Sequence, residues 1–378
     1  MMQPARAAGS VAIALGVATL VSITASNARA GDWQTAAPTN ETREYPGLAI
    51  LPDGNVLAVT GHPLAGKSLA SAEIYDVRKN VWTPTGSLNV ARNGVEPSGL
   101  ASLPNGKFLI AGGGTANRSV HEAELYDYQA GTWKTTGSMQ WPRCVHSATQ
   151  LTTGNVLVAG GIDWITEEVH PSAETYDYKT GTWTTTAPMA SPRFAHRAVQ
   201  LSDGRVLVSG GNSAYPKDIA LASAEIYDPR TGKWRETAPM ATARKNHAAV
   251  TLQDGRVLVA GGSSGPFNAN RQLDAAEVFD PQTERWTAVA SLREGRWGPT
   301  TTLLQSGDVL VTGGAIAPFG ARASAELFNP EKGTWSDAGR LKQPRNGHRA
   351  ITLNDGRVLV VGGHYGGKYL ASCEIYAP

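Results

Sequence analysis

"RFAHRAVQLSDGRVLVSGGNSAYPKDIALASAEIYDPRTGKWRETAPM", residues 193–240, holds in one passage the pattern that decides the fold. "HRAVQL" and "RVLVSG" are short strand-like runs, and Asp203-Gly204 between them favours the positive-φ turn of a tight hairpin. "SAEIYD" and "GKWRETAPM" read as two more strands, and "DPRTG" at 228–232 turns the chain between them with Pro, Asp and Gly. The passage therefore predicts a four-stranded antiparallel sheet, with strands named here a to d.

The same passage recurs seven times. Its turn glycines are Gly54, Gly106, Gly154, Gly204, Gly255, Gly307 and Gly356, a period of about fifty residues. Glu73, Glu124, Glu174, Glu225, Glu277, Glu326 and Glu374 keep the same beat, each followed two residues later by Tyr or Phe. So do Trp33, Trp82, Trp133, Trp183, Trp234, Trp286 and Trp335. A glycine doublet runs from Gly112-Gly113 to Gly362-Gly363 and is degraded to Thr60-Gly61 in the first unit. The last unit stops at "CEIYAP", after strand c, and its missing strand d stands near the other end of the chain as "DWQTAAP". Trp33 should close a ring by completing the seventh sheet, which removes an exposed edge.

These marks resemble the kelch-repeat family, of the superfamily that includes galactose oxidase, over residues 31–378. The resemblance implies an all-β, seven-bladed propeller whose strand a lines a central channel. It also implies that the d-to-a and b-to-c loops share one face, where ligands of such propellers bind.

Residues 1–30 read as a secretory signal peptide: Arg6, the apolar run "VAIALGVATLVSI" at 11–23, and "ARA" before an expected cleavage after Ala30. The protein is then expected to be secreted or periplasmic, off the membrane after cleavage, and monomeric. With Arg6 and Arg29 gone, the 34 basic side chains fall to the number of the 32 acidic ones. That balance gives no reason to expect nucleic-acid binding. Cys144 and Cys373 fall in blades that are not neighbours, so both are expected to be unpaired and inert.

The repeated Glu, aromatic, Trp and doublet are read as architecture, since a fold fixes framework and function lives in sites placed on it. Arg43, Arg143, Arg193, Arg244, Arg296 and Arg345 stand eleven residues before the turn glycine, whereas blade 2 has Val95 there and Arg92 three residues earlier. Two readings stay open for these arginines. They could ring the channel mouth as planar donors for a carboxylate or sulfate, or each could pair with the repeated Glu of a neighbouring blade. His146, His196, His247 and His348 follow three residues later, and their recurrence favours packing over chemistry.

Function is sought where the repeat is broken. "REYPG" brings Glu44 and Tyr45, "NGVEPSG" brings Glu96, and "REGRWGP" brings Glu294 and Trp297. Trp141, Trp164 and Trp297 lie outside the repeat and map to the ligand face, where an aromatic plane could stack on a sugar or anchor a protein. No metal-ligand spacing or phosphate-cradling loop is present, so neither metal nor cofactor is expected.

Two functions fit. The first is a binding module that takes an acidic protein segment or acidic glycan on Arg43, Tyr45, Arg143, Arg193, Arg244, Arg296, Arg345, Trp141, Trp164 and Trp297. The second is an enzyme (epimerase, mutarotase or lyase) acting on a uronic- or sialic-acid-like sugar, similar to the exported kelch epimerases of N-acetylneuraminate. There Arg143 and Arg193 would hold the carboxylate while Glu96 with His146 or His196 moves the proton.

Overall fold

The computed structural model describes residues 31–63, 67–94, 100–115, 117–266, 271–317 and 320–378. The expected leader at 1–30, and Glu96 with it, lie outside the described residues. All regular structure among the described residues is β, in seven four-stranded antiparallel sheets and four two-stranded ribbons. In blade 4 the strands are a (Arg197–Gln200), b (Val206–Ser209), c (Ala224–Asp228) and d (Lys233–Glu236), hydrogen-bonded in chain order. Each strand a lies beside the strands a of both neighbours, so seven blades close a ring around the channel.

Ring closure follows the expectation from the chain ends. Blade 7 takes its outer strand from Asp32–Ala36, which pairs antiparallel with Cys373–Ala377. Trp33 then packs on its cross-strand aromatic as the other repeat tryptophans do. Its ring lies 5.1 Å from Tyr376, and its indole N–H donates to the Ala338 carbonyl of blade 6 at 2.9 Å. Trp183 likewise packs on Tyr176 and donates to Gly137 of the preceding blade.

Strand b is apolar without alternation because both of its faces are covered. Successive side chains point to opposite faces. Val206 and Val208 pack with Leu157 and Ala159 of blade 3, while Leu207 packs with Val257 and Phe279 of blade 5. Each fully buried Val or Leu of this kind contributes roughly 1.5–3 kcal/mol.

The glycine doublet stitches one blade to the next. The second glycine donates its N–H to the carbonyl of the next blade's arginine, as in Gly113 to Arg143, Gly161 to Arg193, Gly211 to Arg244, and Gly363 to Arg43 across the closure. The contact leaves no room for a side chain: a Cβ on Gly160, at φ +65°, would stand 2.4 Å from the Arg193 carbonyl oxygen. The same missing Cβ admits His196, whose Cε1 would lie 2.8 Å away.

Candidate functional site: the loop-side collar

The arginines are structural. Arg43, Arg143, Arg193, Arg244, Arg296 and Arg345 are all 0% exposed, so the expected ring of donors open to a ligand is corrected. Arg193 gives one nitrogen to the Gly210 and Ser223 carbonyls and the other to Ser223 Oγ and Glu225 Oε1, the last at 2.7 Å. The remaining carboxylate oxygen, Oε2, accepts the backbone N–H of Ala190. The pairing expected with a neighbouring blade's Glu is also corrected, because Arg143–Glu174, Arg244–Glu277, Arg296–Glu326, Arg345–Glu374 and Arg43–Glu73 all join residues of one blade. Each pair clamps the d-to-a loop onto strands b and c. Blade 2 fills the same place with Arg92 on Glu124 at 2.6 Å, despite its sequence offset. Burial pushes the Arg143 guanidinium down to about 10, which leaves it charged at neutral pH.

The histidines are packing groups. His196 bonds through Nε2 to Ser147, His247 to Ser209, and His348 to Thr300 and Thr312, in each case a hydroxyl of the preceding blade. His146 fills the same slot over Gly112. Burial, and then the adjacent arginine, hold these imidazoles far below the ordinary range, with His146 at about 3. The catalytic set expected from Arg143, Arg193, His146 and His196 is therefore dissolved: all four side chains are buried, the arginines in clamps within their own blades and the histidines against the preceding blade.

The loop-side end of the channel is built from three positions that follow each arginine. Two residues on, the backbone turns left-handed: Tyr45 (φ 53°), Gly94, Val145, Ala195, Asn246, Gly298 and Gly347. These residues form a collar in which one blade's N–H meets the previous blade's carbonyl, as in Tyr45 to Gly347, Val145 to Gly94, Ala195 to Val145, Asn246 to Ala195 and Gly298 to Asn246. Immediately after each arginine, one residue bridges the residue that follows the glycine doublet. The seven bridges are Glu44/His62, Asn93/Gly114, Cys144/Ile162, Phe194/Asn212, Lys245/Ser263, Trp297/Ala315 and Asn346/His364. Four residues on, strand a begins with Ser147, Arg197, Ala248, Thr300 and Arg349, and of these Arg197, Ala248, Thr300 and Arg349 line the channel. Here the repeat carries its variation.

That variation divides the collar into sectors. A channel cavity of about 230 Å³ is lined by Arg197, Arg349, Pro299, Thr300, Thr301 and small alanines. Arg197 and Arg349 each donate to the carbonyl of the preceding histidine, and the Arg349 guanidinium also lies over the Tyr45 ring at 5.3 Å. Blades 3 and 4 form an apolar sector. Trp164 and Ile165 sit at the tip of the ribbon Ile162–Asp163/Glu168–Val169, 41% and 62% exposed, with Phe194 and Tyr215 edge-on to the Trp164 ring at 5.8 and 5.3 Å. Behind it, Lys245 and Asp218 form a buried ion pair that also holds Asn212. Trp141 and Trp297 are half-buried, and Trp297 is held to Ala315 by two backbone bonds. Glu294 is engaged by Ser324 and Arg322.

Sequence reasoning missed Arg197, Arg349, His364, Lys245 and Asp218. For the first four, the usable signal was the fixed offset from the arginine or the doublet, read for its differences between blades.

A seven-bladed β-propeller with a fixed internal clamp and a variable loop collar belongs to the class of repeat scaffolds, which generally serve protein interaction. The family is shown by sequence: residues 105–314 match the KLHDC2/KLHL20/DRC7 Kelch-repeats domain, and the chain belongs to the kelch-repeat family. It is 37% identical over 93 residues to Kelch-like protein terF of Aspergillus terreus, covering 23% of this chain and 19% of that one. It is 38% identical over 68 residues to Kelch-like protein 23 of Mus musculus, covering 18% and 12%. The aligned stretches thus span under a fifth of each relative's own length. Among solved structures it is similar to a fungal alcohol oxidase of the AA5 family in complex with copper, with TM-score 0.75 and 18% identity over 92% of this chain and 76% of that one. It is also similar to YjhT, with TM-score 0.62 and 14% identity over 80% and 99%. Both likenesses concern the fold. The side chains present do not fit a copper centre: among the described residues no three His, Cys, Asp or Glu are grouped to hold a metal. Cys144 lies buried beside Ser119, its thiol pushed up to about 12 by burial. Cys373 is also free and buried.

Proposed function

We propose that this protein is an exported kelch propeller that binds a protein partner through its loop face. The partner segment sets an apolar side chain on Trp164 and Ile165 and turns an acidic side chain toward Arg197 and Arg349 in the channel mouth. The observation that carries this reading is the exposed Trp164–Ile165 tip, whose indole is braced by Phe194 and Tyr215. A rigid aromatic on a supported ribbon loses little entropy on binding, which is the character of an interface anchor. Acidity in the partner follows from the lining of the channel cavity, where the charged side chains are arginines.

The test is a displayed peptide library panned on the purified protein, followed by affinity measurement of the enriched peptides. Peptides combining an apolar and an acidic residue are expected, with more than tenfold loss on Trp164→Ala and on Arg197→Ala. Val81→Ser, on an outer strand, should leave affinity unchanged. Enriched peptides indifferent to both loop-face variants would overturn the reading. Binding of an acidic glycan array with the same dependence would transfer the site to a glycan.

A further inference from the structure

The seam between blades 7 and 1 fills four neighbouring collar slots with polar side chains: Asn346 and His364 from blade 7, Glu44 and His62 from blade 1. His364 Nδ1 and Glu44 Oε1 are 2.6 Å apart. The contact runs from the ribbon His364–Tyr365/Lys368–Tyr369 to the loop that carries the chain from the N-terminal strand into blade 1. Glu44 is buried and His364 is one-third exposed, so the imidazole exchanges protons with solvent while the carboxylate stays fixed behind it. Gly347 makes the approach possible, since a Cβ there would meet Glu44 Cγ at 2.6 Å.

The surroundings leave Glu44 as the partner for a charged imidazole. Tyr369 is the cross-strand neighbour of His364, with ring centres 6.1 Å apart, and it stacks on His62. Asn346 lies with its amide nitrogen 3.5 Å from His364 Nε2. Its Oδ1 and His62 Nδ1 are buried without a hydrogen-bond partner. Tyr365 and Lys368 stand on the ribbon itself, and Arg349 lies beyond Tyr45. Of the groups named, Glu44 is the one that carries negative charge.

We propose that Glu44 and His364 form a proton-operated latch across the blade seam, which sets how firmly the 37–46 loop, with Tyr45 against Arg349, is held at the channel mouth. With the proton on, the contact is an ion pair joined by a hydrogen bond; when the proton leaves, the neutral imidazole can still donate to the carboxylate, but the attraction between two opposite charges is lost. The carboxylate raises the imidazole above its ordinary value, against the opposing effect of burial. The latch is therefore tight at mildly acid pH and slackens as pH rises through that raised value. Tyr45 is adjacent to Glu44, and its N–H is bonded to Gly347 of blade 7, so slackening reaches the collar directly.

The experiment uses the full chain and no partner, so its outcome is separate from that of the docking test. The His364 ring proton is followed by NMR from pH 5.5 to 8.5 in the wild type and in Glu44→Gln. Hydrogen exchange of segments 37–46 and 364–369, corrected for intrinsic rates, is measured over the same range, with His364→Gln added. His364 should titrate above the ordinary histidine value of about 6.5 and fall toward it in Glu44→Gln. Corrected exchange should rise at least threefold across the wild-type titration and become flat in both variants. Titration at the ordinary value, or a pH-dependent rise that survives in His364→Gln, would overturn the proposal. Glu44→Gln keeps the side-chain shape, so its titration and exchange decide the question if His364→Gln fails to fold.

Discussion

Acid should unfold this protein through histidines that never charge in the native state. His146 is fully buried and held at about 3, against an ordinary value of 6.5. Its folded value is depressed, so its contribution to stability is complete above the unfolded value. The contribution is lost progressively as pH falls toward about 3, because the unfolded chain takes a proton that the native slot refuses. At pH 5 the unfolded imidazole is about 1.5 units below its own value, and each unit is worth about 1.36 kcal/mol, giving a loss of roughly 2 kcal/mol from His146 alone. His196, His247 and His348 act in the same direction, while His364 acts in the opposite one. The assay is equilibrium urea unfolding at pH 7 and pH 5, read by tryptophan fluorescence, for the wild type and His146→Gln. The variant should be less stable at pH 7, yet its loss between the two pH values should be smaller than the wild type's by roughly 2 kcal/mol. Equal losses, within about 0.5 kcal/mol, would refute burial as the cause.

Two further outcomes test the framework. Glu225→Gln leaves the fully buried Arg193 without its counter-charge and should cost about 3–5 kcal/mol in urea unfolding. The double variant Arg193→Met/Glu225→Leu should cost less than the single one, because no lone charge remains buried. Trp33→Ala should cost about 3–5 kcal/mol in the same assay, as much as Trp183→Ala, if the N-terminal strand closes blade 7 as an ordinary outer strand; a near-neutral Trp33→Ala would contradict closure.

The fold was legible because each blade repeats the same physical solution. Asp203-Gly204, the uninterrupted "RVLV" and the Tyr–Trp pair recur in every blade in some form, so one unit explains the rest. The arginines were legible as a register but not as a role. An arginine eleven residues before a glycine does not reveal whether its fork points to solvent or inward. Glu225 decides that, and it lies thirty-two residues on. Arg92 shows the limit of counting, since it makes the same clamp although three more residues separate it from its turn glycine. The candidate site was harder to see. Glu44 and His364 are 320 residues apart in sequence, and only ring closure brings them together. Asp218 meets Lys245 across two loops of different blades, so no local pattern marks it.

The clamp explains why variation concentrates where it does. Each arginine fixes its own blade with its side chain and the preceding blade with its carbonyl, so the residues just after it receive a backbone path they did not choose. Two residues on, that path is left-handed even where Val145 occupies it, a conformation that costs a β-branched residue on the order of 1–3 kcal/mol. The strain persists because the collar bonds hold it from both sides, the Val145 N–H donating to the Gly94 carbonyl and the Ala195 N–H donating to the Val145 carbonyl. The bonds that hold this strain are made by the backbone and not by the side chains in the bridging slots. Those side chains can therefore be Glu44 in one blade, Phe194 in another and Lys245 in a third without disturbing the ring. A scaffold so divided lets one sector present an apolar anchor and another a titratable pair, and substitutions at Trp164 or His364 should alter recognition or pH response while the seven clamps keep the blades in place.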